Sequence, residues 1–261
     1  MTRLGSADEP RMTDTAPSPA DPQRPPPHPW DRVFYGWEYV LPMFTFLALT
    51  WAGGNWKGFF PASYVLKTII VGAMLIWLWK RFTRVRWTHL PLGVLVGVIG
   101  VVQWVGMEKL FMSQDWLWWT RMIRDIRAET FRPYETFAES PALLWAFIAI
   151  RWIGPTLVVP FMEELFWRDF LWRNFAAPND FRLAEVGEYD RSAFWVIPLL
   201  FAAVHVQWVT AIVWGLLIAW LLVKTRSLGA CIVAHAVTNF LLGGYVLISH
   251  YAFGRDEWFF W

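Results

Sequence analysis

"PALLWAFIAIRWIGPTLVVPFMEELFWRDFLWR", residues 141–173, settles the class of fold. Its apolar character barely lapses over a length that, at about 1.5 Å per residue, exceeds a hydrocarbon core of ~30 Å. Yet it carries two adjacent glutamates, Glu163 and Glu164, with Arg168 and Asp169 close behind. The rest of the chain is equally apolar: 56% of the 261 residues are hydrophobic, with 21 Trp and 21 Phe, and the mean hydropathy is +0.34. A soluble domain is neither so apolar nor so aromatic. Lipid offers backbone groups no hydrogen-bond partner, so such segments must satisfy themselves as helices. The expected fold is therefore an all-α polytopic membrane bundle of about seven to eight transmembrane helices.

Apolar runs place helices near 36–53, 60–80, 89–107, 141–161, 193–207, 209–224 and 228–248. The stretch 141–173 has two readings. Pro155 and Pro160 each remove a backbone donor, so it is either one helix ending near Pro160 followed by a second, partly immersed helix, or a single bent span. Residues 1–33 hold eight of the 17 prolines and no apolar run, which reads as a disordered tail; without an apolar h-region there, no cleavable signal is expected. Residues 34–140 form the N-terminal membrane helices with an interfacial segment around "SQDWLWWTRMIRDIR", 141–250 a C-terminal membrane core, and 251–261 a C-terminal tail.

Charge narrows the partners. The net charge is +2 and the cations cluster between apolar runs without forming a basic face, which excludes nucleic acid and leaves the bilayer as the main partner. The lone Cys231 excludes an intramolecular disulfide and a cysteine-based metal cluster. "KRFTRVRW", residues 80–87, has four cations and no anion, so it belongs in the cytoplasm together with the N-terminus and "VKTRS".

Polar groups inside apolar helices mark function, because each is costly unless paired or facing a wet cavity. "FAAVHVQW" puts His205 in one such helix, and "AHAVTNFLLGG" puts His235 and Asn239 in another. Interhelical glue, worth roughly 0.6–2 kcal/mol per contact, is the plain alternative for any one of them. Glu164 and Arg168 are four apart and can pair on one helix face, whereas Glu163 is rotated about 100° away and keeps no local partner. His235 and Asn239, also four apart, can present two donors to one oxygen. Arg151 reads as a snorkelling residue or a segment end, Asp169 as a helix-surface charge, and Gly229, Ala230, Gly243 and Gly244 as sites of close helix packing.

In order, "EELFWR", "FAAVH" and "HAVTN" resemble the EExxxR, FxxxH and HxxxN signatures of the CPBP (Abi) intramembrane proteases, the family of CAAX-prenyl endopeptidases and of bacteriocin-processing or immunity proteins. The resemblance covers roughly 141–245, and the wider context is similar to the bacterial exosortase-associated, CAAX prenyl protease-related subgroup. It implies a glutamate-dependent membrane endopeptidase of a bacterial inner membrane, acting on a membrane-associated protein or peptide. Glu163 and His205 would activate water, and His235 and Asn239 would form the oxyanion hole. Glu164, Arg168 and Phe201 would give structural support, Phe201 by packing the imidazole four residues on. No metal or other cofactor is expected. Glu163, His205 and His235 could hold Zn²⁺, but no HExxH is present and an Asn carboxamide is a weak ligand. The rival readings are a non-enzymatic scaffold or immunity protein on the same fold and a small proton-coupled transporter.

Overall fold

The computed structural model describes residues 35–56, 58–114, 117–128 and 130–261; the expected N-terminal tail lies outside them. Every regular element among these residues is helical. Helices α1 (Trp37–Asn55) and α2 (Phe60–Leu78) pack as an antiparallel hairpin, and α3 (Leu90–Met112) follows after an extended connection. Next come the amphipathic α4 (Trp118–Ala128), the single turn α5 (Pro133–Thr136), the continuous α6 (Pro141–Ala176), α7 (Arg191–Ala203), α8 (Trp208–Thr225) and α9 (Leu228–Phe253). Five of these helical runs are long and apolar enough to cross a membrane: those beginning at Phe60, Leu90, Pro141, Trp208 and Leu228. The protein is thus an all-α membrane bundle. Among the described residues the count of spans is below seven because α1, though 19 residues long, is not apolar enough, and α7 is a shorter apolar helix of 13 residues.

The single bent span is the reading of 141–173 that the structure adopts. Helix α6 stays unbroken across both prolines by widening into π-helical turns at Gly154–Val158 and Leu165–Leu171. Such turns are rare and recur at functional sites. The first one fits the proline spacing. In an i→i+5 pattern the carbonyl of Pro155 would accept from residue 160, which is itself a proline and has no N–H. That carbonyl is left for another donor.

At one end of the bundle the chain ties its basic segments together. Ser227 Oγ donates to the carbonyls of Arg86 (3.0 Å) and Thr88 (2.9 Å). Arg173 donates to Thr83 Oγ1 at 2.9 Å, Arg182 to the Tyr35 hydroxyl at 2.9 Å, and Arg226 pairs with Glu185 at 2.7 Å. The stretches around 35, 80–88, 173–190 and 224–228 therefore share one end. The opposite end gathers Arg132 with Asp256 (2.7 Å) and Lys109 with Glu257 (3.2 Å). Residues 251–261, expected as a tail, fold back there: Trp258 is fully buried and stacks on Trp261 with ring centres 5.8 Å apart.

Helix α3 lies directly on α9 because glycines line its contact face. A Cβ at Gly93 would stand 2.6 Å from the Ala230 carbonyl oxygen, and one at Gly97 would stand 2.6 Å from that of Ala234. Small residues at this spacing let membrane helices approach backbone to backbone. The seam fixes the stretch of α9 that bears His235 and Asn239. Of the small residues expected to permit packing, Gly229 and Gly243 do so, against the Arg86 carbonyl (2.5 Å) and the Trp152 ring (2.8 Å), while Gly244 has its nearest neighbour only at 3.8 Å.

Candidate active site

Glu163 and Glu164 occupy the regular segment Val159–Glu164 between the two widened turns of α6. The adjacent carboxylates have different surroundings. Glu164 is fully buried, and its Oε1 accepts from Arg168 Nη1 at 3.2 Å and from His235 Nδ1 at 2.8 Å. The pairing with Arg168 has the expected four-residue geometry; the link to His235, across to α9, has no local spacing to announce it. Glu163 is also buried, but among the described residues it makes no ion pair and its Oε2 has no hydrogen-bond partner.

His205 does not lie within a helix as expected. Helix α7 ends at Ala203, two residues before it, and the imidazole sits in the break before α8. Its Nδ1 lies 2.8 Å from the Phe201 carbonyl oxygen. A carbonyl only accepts, so Nδ1 carries the proton, and in the neutral ring Nε2 keeps its lone pair. The Phe201 ring packs against the same imidazole, with centroids 4.3 Å apart. It also stacks on Trp214 at 5.2 Å and lies 4.8 Å from the Arg168 guanidinium. Trp214 in turn meets the His235 ring edge-on at 4.6 Å. One aromatic wall thus positions both histidines and covers the arginine.

Asn239 takes up the carbonyl that the proline spacing leaves free: its Nδ2 donates to Pro155 O at 2.7 Å. A carboxamide nitrogen has two hydrogens, so one remains for another acceptor. Glu163, His205, His235 and Asn239 line a single cavity of about 190 Å³, together with Phe201, Trp214 and Thr238. Water occupies ~30 Å³ per molecule in the liquid, so several waters fit beside these polar groups. Glu164 and Arg168 stand behind this wall and do not line it.

Two neighbours depart from their expected roles. Asp169 is fully buried and pairs with Arg173 at 2.7 Å, so it is no surface charge. Arg151 is 3% exposed and does not snorkel to the surface. Sequence reasoning passed over Trp214, Thr238, Tyr64 and Trp261 as cavity residues; among 21 Trp nothing in the chain singles out two of them. The five-residue spacing of Pro155 and Pro160 was the legible signal for the carbonyl that Asn239 meets. Among the described residues, no group of three or more His, Cys, Asp or Glu is placed to hold a metal ion.

Residues 144–241 match the family model described as type II CAAX prenyl endopeptidase Rce1-like. The matched segment runs from α6 into α9 and contains every residue named above from Glu163 to Asn239, so over that segment the chain is similar to the CAAX (CPBP) proteases. No curated protein and no solved structure matches the chain.

Proposed function

We propose that the protein is a glutamate-dependent intramembrane endopeptidase that hydrolyses a peptide bond in a membrane-associated substrate. The observation that carries this reading is the convergence of Glu163, His205, His235 and Asn239, from three separate chain segments, on one polar cavity inside an apolar bundle. Uncompensated polar groups are costly there, so their grouping calls for a chemical use.

The steps follow from the hydrogen bonds. A water between Glu163 and His205 Nε2 gives its proton to the Glu163 carboxylate as its oxygen attacks the scissile carbonyl carbon. The developing oxyanion receives the second Nδ2 hydrogen of Asn239 and the Nε2–H of a protonated His235. Glu164, accepting from His235 Nδ1, supplies the negative charge that such an imidazolium needs. The carbon–nitrogen bond then breaks, and the leaving amine takes the proton from Glu163. A lost oxyanion donor costs about 10²- to 10³-fold in rate.

The hydrolysis we propose uses no metal: Glu163, His205, His235 and Asn239 carry each step, and the carboxamide among them is a weak neutral ligand. The basic end of the bundle, with Tyr35, faces the cytoplasm of a bacterial cell by the positive-inside rule. We assign the chain to the exosortase-associated subgroup, with a C-terminal or signal-like membrane peptide as substrate. The test is cleavage of a membrane-embedded reporter peptide by purified protein. Glu163→Gln, which changes one oxygen for nitrogen in a carboxyl without an ion partner, is expected to lower turnover at least 10²-fold with unfolding unchanged. Undiminished turnover by that variant sinks the mechanism.

A further inference from the structure

The proposed mechanism leaves two buried donors of the catalytic cavity unused. Gln207 and Trp104 both line it, and neither is more than 9% exposed. Among the described residues Gln207 Nε2 and Trp104 Nε1 have no hydrogen-bond partner. Both stand beside His205. In the break between α7 and α8, His205 and Gln207 face the cavity, while Val206 between them is 43% exposed. Trp104 follows Gly97 by about two turns of α3, on the same helix face, and its ring meets the His205 imidazole edge-on at 5.9 Å. The fold does not explain the glutamine. Gln207 occupies the N-cap of α8 without capping it, whereas Asp190 and Ser227, at the same position of α7 and α9, accept from the backbone N–H of Ala193 and Ala230. Ser, Thr, Asp and Asn are the residues that cap, and a buried amide without a partner costs free energy that an apolar side chain would not.

We propose that Trp104 and Gln207 form a carbonyl-binding site beside His205, which receives the peptide group next to the scissile one and so fixes which bond reaches Glu163. This rests on the endopeptidase reading for its use, though not for its chemistry. An indole N–H donates and cannot accept, so what this side of the cavity lacks is an acceptor. A neutral oxygen suits it better than an anion, because Glu163 already brings a carboxylate to the cavity and among the described residues no Lys or Arg lines it. The main-chain carbonyl is such an oxygen and is common to every peptide, so the site holds substrate backbone whatever side chains it carries. The cavity volume of about 190 Å³ equals roughly six waters at ~30 Å³ each. That is room for two consecutive peptide groups, the one cut and the one held, and not for a longer stretch of chain.

The test is a binding measurement that needs no turnover, so its result is separate from that of the reporter cleavage. Full-length Glu163→Gln protein in nanodiscs is titrated calorimetrically with acetyl-phenylalanine N-methylamide, which has two consecutive peptide groups. Two analogues replace one or the other group by a trans-alkene, which keeps the shape and lacks the carbonyl oxygen. The diamide is expected to bind about tenfold more tightly than one of the alkenes, the net worth of a hydrogen bond or two, and Gln207→Leu is expected to abolish that difference. Trp104 is followed by ¹⁵N-tryptophan labelling, with its indole signal assigned by its absence in Trp104→Phe; the diamide must move that signal downfield and the weaker alkene must not. The calorimetric comparison stands even if Trp104→Phe does not fold. With Glu163 restored, Gln207→Leu is expected to raise KM for the reporter with kcat little changed, because a contact kept from ground state to transition state is uniform binding, and to cut at neighbouring bonds as well. Equal binding of all three probes, no binding of any, a difference that survives Gln207→Leu, or an unmoved Trp104 signal shows that the two donors do not hold a substrate carbonyl and overturns the proposal. A parent protein that leaves the reporter uncut removes the endopeptidase reading and leaves the binding result to stand.

Discussion

Replacing Glu164 with Gln separates the two tasks that this residue performs. The change preserves shape and one acceptor oxygen, so the contacts of Oε1 with Arg168 (3.2 Å) and His235 (2.8 Å) can persist while the negative charge is lost. Arg168 is 1% exposed, and removing one partner of a buried ion pair costs about 3–5 kcal/mol. The guanidinium keeps Phe201 at 4.8 Å and Trp214 at 5.5 Å, contacts that the parent also makes and that therefore do not offset the loss. The expected loss of stability is about 3–5 kcal/mol, read by denaturant unfolding in detergent micelles. Adding Arg168→Met removes the stranded charge and is expected to recover most of that stability. It cannot restore the anion beside His235, so reporter cleavage is expected to stay depressed by 10-fold or more in the double variant. A Glu164→Gln protein as stable as the parent refutes the ion-pair argument, and a double variant with full activity refutes the role given to the Glu164–His235 contact.

Three further outcomes follow from the same geometry. Asn239→Ala leaves the Pro155 carbonyl without its 2.7 Å donor, a loss of about 1–3 kcal/mol for a buried group; adding Pro160→Ala supplies a backbone N–H five residues on and is expected to recover stability in unfolding measurements but not turnover. Reporter cleavage is expected to persist through a series of EDTA and phenanthroline concentrations, and activity that vanishes in chelator and returns with Zn²⁺ overturns the metal-free mechanism. Gly97→Leu, whose Cβ alone would meet the Ala234 carbonyl at 2.6 Å, is expected to spread the α3–α9 seam and depress both stability and cleavage, whereas Gly106→Ala, with open space around its Cβ, is expected to change neither.

What the sequence made legible is what depends on local spacing. Hydropathy runs located the helices because bilayer thickness dictates their length, and the i,i+4 rule placed Glu164 beside Arg168 because one helix holds both. The contacts missed lie between elements. Nothing near Glu164 in the chain announces His235, 71 positions away, and nothing near Trp261 announces that it closes the same cavity as Glu163. The end of α7 before His205 was also hidden, since "FAAVHVQW" is apolar enough to continue as a helix. Placing the imidazole in the break gives its ring a freedom of approach that a regular turn would deny, while the Phe201 carbonyl two residues inside the helix end fixes the tautomer.

The charges that made 141–173 paradoxical fall into two groups. Glu164 with Arg168 and Asp169 with Arg173 are buried pairs one turn apart on the same helix, so each carries its own compensation into the apolar interior and adds little net charge. Arg151 lies among five aromatic rings and donates to the main-chain oxygen of Trp261. Glu163 is the one carboxylate of α6 with no ion partner among the described residues. Packing does not explain why a membrane helix retains it, because an apolar residue in its place would be cheaper to bury. It lines the cavity that His205, His235 and Asn239 also line. Its persistence in such a helix is accounted for by what enters that cavity, not by what surrounds it.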